Sequence, residues 1–133
     1  MERVPVLKIG GILLVSIQTD MSDQVALQLQ EDLADKVVST GCRGVIIDIS
    51  ALDIVDSFVG RTLATIASVS RVLDAETVVV GMRPAVAITL VELGLSLPGI
   101  RTALNVDLGM QMLARAVAEP EPADETEDGI TPP

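Results

Sequence analysis

The chain has 133 residues, with 49% hydrophobic side chains and a mean hydropathy of +0.52, enough for one domain with a real core. It carries no histidine, one cysteine (Cys42), one aromatic residue, and 9 basic against 19 acidic residues, a net charge of −10. These counts exclude Ser-His-Asp and Cys-His catalysis, histidine or cysteine-rich metal centres and an internal disulfide, and they argue against nucleic acid, whose phosphates need a basic footprint and whose bases need stacking rings.

The N-terminal MERVPVLKIGG is charged at Glu2, Arg3 and Lys8 and has no apolar run, so it is not expected to be a signal peptide. Val4 to Lys8 is expected as a short strand, Gly10-Gly11 as a turn, and Ile12 to Gln18 as a stronger strand. Asp20 or Ser22 caps a helix reaching about Thr40. Val25, Leu29, Leu33 and Val37 fall on one face of it, and Gly41 stops it. Val45 to Ile49 reads as a buried parallel strand. A polar turn, Ser50 to Asp56, leads into a helix from about Ser57 to Leu73, with Val59, Leu63, Ile66 and Ser70 on one side. Thr77 to Val80 is the next strand. Pro84 suits the first turn of a helix that runs to about Leu93 and ends at Gly94. Ile100 to Leu104 reads as a late strand, and Asp107 starts a last helix to about Ala118.

After Ala118 the composition changes. EPEPADETEDGITPP holds six acids, four of the seven prolines and one large aliphatic residue, Ile130. It cannot bury enough to offset ordering and is expected as a disordered acidic tail. Residues 1–118 are then the domain, with 13 acids against 9 bases, net −4. The order ββαβαβαβα predicts an α/β domain with a mixed sheet of four or five strands, parallel after an opening hairpin. No stretch approaches the roughly 18 apolar residues of a membrane span. With a lone cysteine, the expectation is a soluble cytoplasmic protein.

Neither GxGxxG nor a P-loop pattern is present. Gly10-Gly11 precedes a strand, not a helix, and reads as a hairpin turn. Asp48, Asp53 and Asp56 cluster near the end of VIIDI. Such carboxylates hold Mg²⁺ in some folds, but without a phosphate-binding companion the preferred reading is that they cap the turn and the next helix. Cys42, with no histidine and no CxxC, reads as a packing thiol. Ser57, in DIVDSFVG, sits where a strand and turn deliver a helix, the edge at which open parallel sheets meet ligands. Either Asp56 or Ser57 caps that helix. Ser57 has no base to make it a nucleophile, the nearest lysine in sequence being Lys36, but a serine modified by another protein needs none. Gly60 lies inside the helix, where glycine costs about 1 kcal/mol relative to alanine; a partner surface and a close internal contact explain it equally.

DIVDSFVG resembles the phosphorylatable serine loop of STAS domains, the anti-sigma-factor antagonist fold. PVLKIGGILLVSIQ, LQEDLADKV and GMRPAVAITLVELGL are similar to the S-type stressosome antagonists (the RsbS group), and the resemblance covers about residues 4–118. The loop reads DSFVG, as in the stressosome type, rather than the DSSG-like form of sporulation antagonists. The resemblance implies a STAS fold with a mixed four- to five-stranded sheet and four helices, with no catalysis, cofactor or metal. It implies co-assembly with a STAS-containing co-antagonist (RsbR-type) in a large cytoplasmic hetero-oligomer. It also implies sequestration of a switch kinase (RsbT-type), which phosphorylates the antagonist serine on stress and leaves, with a separate phosphatase resetting the serine. Ser57 occupies that serine's place. Val80 stands where co-antagonists carry a second phosphorylatable threonine, which favours the S-type. Asp53, Asp56, Phe58 and Arg61 are the expected partner contacts. Phosphate adds about −1.5 to −2 charges beside Asp53 and Asp56, while Arg61, one turn on, offsets part of the repulsion.

Three other readings compete. A simple anti-sigma-factor antagonist or a nucleotide-binding STAS module would use the same loop, and micromolar nucleotide affinity would favour the latter. A weak enzyme using Asp53 and Asp56 as acid and base would need convergent polar groups from other loops.

Overall fold

The computed structural model describes residues 4–17, 21–95 and 100–118. Gln18, Asp20 and the acidic segment 119–133, on which three of the expectations fall, lie outside the described residues.

The apolar alternation of β2 (Ile12–Ser16) turns Leu13 and Val15 to one face of a sheet and Ile12 and Leu14 to the other. β1 (Val6–Ile9) pairs with it antiparallel, Leu7 opposite Leu14, through the Gly10-Gly11 turn. The strand starts two residues later than its apolar run suggests. Pro5 has no N–H to give a ladder, so pairing begins after it. β3 (Gly44–Asp48), β4 (Glu76–Val80) and β5 (Arg101–Ala103) add in parallel, giving five strands in the order β1-β2-β3-β4-β5. β3 and β4 read as continuous apolar runs because both of their faces are covered.

α1 (Asp23–Thr40) begins where Ser22 Oγ accepts from the Val25 N–H at 3.2 Å and ends at Gly41, whose φ of 71° is left-handed. It buries Ala26, Leu29, Leu33 and Val37, while Val25 is half-buried against the same core. α2 (Ser57–Val72) buries Val59, Leu63, Ile66 and Ser70, the face its spacing predicts. α3 (Pro84–Glu92) carries Pro at its first position, and α4 (Val106–Ala118) closes the described chain. α1, α2 and α3 share one core with Leu13, Val15, Val45, Ile47 and Val79, where each fully buried aliphatic side chain is worth roughly 1.5–3 kcal/mol. α4 packs the opposite face through Leu113 against Ile46, Val78 and Val80. Cys42 is buried in the larger core, a packing thiol.

Parallel register brings the C-terminal ends of β2, β3 and β4 level. Ile17 N–H donates to the Asp48 carbonyl, and Ile49 N–H to the Val80 carbonyl, both at 3.0 Å. The loop 49–56 therefore leaves the sheet beside the turn that follows β4.

Candidate phosphorylation site at the start of α2

Ser57 is the first residue of α2, and Asp56 is its cap. Asp56 has extended backbone and its Oδ1 accepts from the Val59 N–H at 2.9 Å, while its carbonyl accepts from Gly60 N–H at 3.1 Å. That settles which of the two polar residues does the capping. The Ser57 hydroxyl makes no hydrogen bond to any described residue and is partly exposed. The N–H groups of Ser57 and Phe58 also find no acceptor among the described residues, so the open end of the helix presents unpaired donors beside a free hydroxyl.

The three clustered carboxylates each have a structural task. Asp48 Oδ1 accepts from Ser50 N–H at 2.9 Å and turns the chain out of β3. Asp56 caps α2. Asp53 is paired with Arg83 Nη1, and Arg83 Nε donates to the Ser50 carbonyl at 3.1 Å. Among the described residues no group of three His, Cys, Asp or Glu side chains could hold a metal.

Arg83 is the residue sequence reasoning missed. It lies 30 positions from Asp53, in the turn ahead of α3, and nothing local marks it as a partner of the serine loop. Only the pairing of Asp48 with Val80 in the sheet puts the two turns together. Gly81 lets them touch. Its φ is +76°, and a Cβ there would lie 2.7 Å from Ser50 Cβ and 3.0 Å from both Ser50 N and Asp48 Oδ1.

Ile54 was also missed. Leu52 and Val55 are buried, at 4% and 2% exposure, and pin the loop to the core, which leaves Ile54 between them 79% exposed. Phe58 is half-buried against the core and is thus partly a packing residue, its carbonyl accepting from Thr62 Oγ1 at 2.9 Å. Arg61 is exposed, four residues after Ser57 and so on the same side of α2. Gly60 is buried. A Cβ there would meet Leu95 Cδ1 at 2.5 Å and Leu90 Cδ2 at 3.2 Å, so a close internal contact accounts for it. Val80, at 1% exposure, faces the core beneath α4. Among the described residues no helix is long and apolar enough to cross a membrane.

The STAS domain family model matches residues 3–108. Over 86 residues the chain is 30% identical to the RsbT co-antagonist protein RsbRA of Bacillus subtilis (strain 168), covering 65% of this chain and 31% of that protein. Over 108 residues it is 27% identical to the RsbT co-antagonist protein RsbRD of the same organism, covering 81% and 36%. The chain thus spans about a third of the length of these curated relatives. Among solved structures it superposes on Moorella thermoacetica RsbS carrying a serine-to-glutamate substitution, with a TM-score of 0.76 and 40% identity over 87% of this chain and 98% of that one. A chain from the molecular architecture of the stressosome, a signal integration and transduction hub, gives the same TM-score and identity over 86% and 100%. The unphosphorylated anti-sigma factor antagonist SpoIIAA, at 8% identity and a TM-score of 0.62 over 87% and 99%, shares the fold.

Proposed function

The chain belongs to the STAS domain family, with RsbS-like stressosome proteins among its relatives, and from that premise we propose that it is a non-catalytic stressosome antagonist whose switch is Ser57. In this reading residues 1–118 are the STAS domain and 119–133 an appended acidic segment. The domain joins RsbR-type co-antagonists in a large cytoplasmic hetero-oligomer and holds an RsbT-type kinase. The kinase transfers the γ-phosphoryl group of ATP to Ser57 Oγ, which loses its proton as ADP is released, and departs; a phosphatase later transfers the group to water.

The observation that carries the reading is the division of labour at the start of α2. Asp56 caps the helix, so the Ser57 hydroxyl has no structural duty and is open to modification. Asp53 is paired with Arg83 and Arg61 lies one turn on from Ser57, so the negative charge of the loop is partly offset before modification. A phosphate adds about −1.5 to −2 charges and three acceptor oxygens. Like charges about 4 Å apart cost from about 1 kcal/mol in water to about 4 near a protein surface, several times the 0.3–1 kcal/mol that the helix end returns. The change therefore acts as an electrostatic wedge against a docked partner and does not need to refold the domain. Ile54 supplies an apolar contact beside it for that partner.

The test is co-purification from native lysate with wild-type, Ser57→Asp, Ser57→Ala and Ile54→Ser baits, read by mass spectrometry. Wild type and Ser57→Ala should recover co-antagonists and a small ATP-binding kinase. Ser57→Asp should lose the kinase alone, and Ile54→Ser should weaken its recovery. Equal kinase recovery with Ser57→Asp and wild type would sink the switch.

A further inference from the structure

Away from Ser57, on the far edge of the sheet, β5 and α4 enclose an open groove of about 480 Å³. Arg101 and Arg115 line it, together with Leu104, Leu108, Gln111 and Met112. The arginines differ from three others in the chain, although Arg61 beside the Ser57 loop is also without an acidic partner among the described residues. Arg43 is paired with Asp74, Arg83 with Asp53, and Arg71 also has a partner. Neither Arg101 nor Arg115 has an acidic partner among the described residues. Two exposed leucines flank them, Leu104 at 81% and Leu108 at 39%. Apart from its pairing with β4, β5 has no strand neighbour among the described residues, which leaves a backbone edge of the kind proteins usually cover.

We propose that this groove is the docking site of the chain's own acidic segment, Glu119 to Asp128. Two observations single out that occupant. The first is charge: the segment holds six of the chain's 19 acids in ten residues, whereas residues 1–118 carry net −4. The groove brings two unpaired guanidiniums together, and arginine pairs with carboxylates in a two-pronged geometry. The second is reach: the segment leaves α4 four residues after Arg115, and at ~1.5 Å per helical residue the stretch of α4 from Leu108 to Arg115 is only ~10 Å long. Seven residues span at most about 23 Å, enough to run the length of that stretch. So short a tether gives an effective concentration on the order of millimolar, which lets weak exposed ion pairs hold a contact that a free peptide would not. The segment thereby shields β5 and Leu104, and any acidic partner of this face has to displace it. The inference does not depend on the role of Ser57.

The experiment uses the full ¹⁵N-labelled chain with a nitroxide on Thr126→Cys. Cys42 is buried and stays unlabelled in the folded protein. Amide signals of Arg101 to Leu104 and Leu108 to Arg115 should lose at least half their intensity at low salt, relative to the reduced label. They should recover in Arg101→Glu/Arg115→Glu, in a chain whose Glu119, Glu121 and Asp124 are made amides, and near 1 M salt, where screening acts within ~3 Å. The remaining spectrum reports that each variant is folded. No bleaching in the groove overturns the proposal. So does bleaching that survives the arginine reversal, and so does bleaching transferred in full to ¹⁵N chains mixed with labelled ¹⁴N chains, which would assign the groove to a second copy.

Discussion

Arg83 clasps Asp53 across 30 positions of sequence and also donates to the Ser50 carbonyl, so one side chain ties the loop before α2 to the turn before α3. The pair is half to three-quarters exposed, at 54% and 72%, which caps its worth at about 0–1 kcal/mol. Its consequence is order in the loop more than stability of the fold. Arg83→Ala should therefore leave the thermal midpoint within a few degrees of wild type, about what a ~1 kcal/mol loss gives. Amide exchange of residues 50–56 should accelerate, and kinase recovery should fall with it. Unchanged exchange in that loop would show that Leu52 and Val55 alone hold it.

Asp56 carries the cap. Asp56→Ala should destabilise the domain by about 0.5–2 kcal/mol, and Asp56→Asn should restore most of it because the amide oxygen accepts from Val59 N–H as the carboxylate does. Denaturant midpoints of the two variants decide this. Equal losses would mean that the charge of Asp56, and not its hydrogen bond, supports the helix.

Gly81 combines positive φ with a tight approach to Ser50. Gly81→Ala should cost about 1–3 kcal/mol, the sum of the left-handed backbone and the overlap. Adding Ser50→Gly removes the overlap with Ser50 Cβ but leaves the backbone nitrogen 3.0 Å away, so it should return only part of the loss. A neutral Gly81→Ala, by denaturant unfolding, would show that the turn shifts freely.

Thr77, at 2% exposure in β4, buries an Oγ1 with no hydrogen-bond partner. Thr77→Val keeps the branched shape suited to a strand and removes the unpaired hydroxyl. It should stabilise by about 1 kcal/mol, read as a rise in the thermal midpoint. A fall would reveal a partner for that hydroxyl.

The larger elements were legible because each has its own local signal. The four-residue spacing of Leu29, Leu33 and Val37, the Pro84 helix start and the Gly41 and Gly94 stops are contacts of a chain with itself over one or two turns. Where the reading slipped, the cause lay outside the local pattern. Pro5 withholds the start of β1, and β5 is three residues long because α4 leaves the edge so soon after it. At the site, DIVDSFVG marked Ser57, but whether Asp56 or Ser57 caps α2 depends on a single hydrogen bond that either side chain could make in principle.

The sequence by itself determined the order of elements, the apolar face of each helix, the exclusion of histidine chemistry and the position of the serine. Tertiary structure alone decided that Arg83 neutralises Asp53, that Gly60 serves Leu90 and Leu95, and that Ile54 faces outward between two buried neighbours. The reason is physical. Periodicity and capping arise between residues a few positions apart, and their geometry is fixed by the backbone. A salt bridge 30 residues long, or the direction of one side chain in a loop, is fixed by which strands pair and in what register.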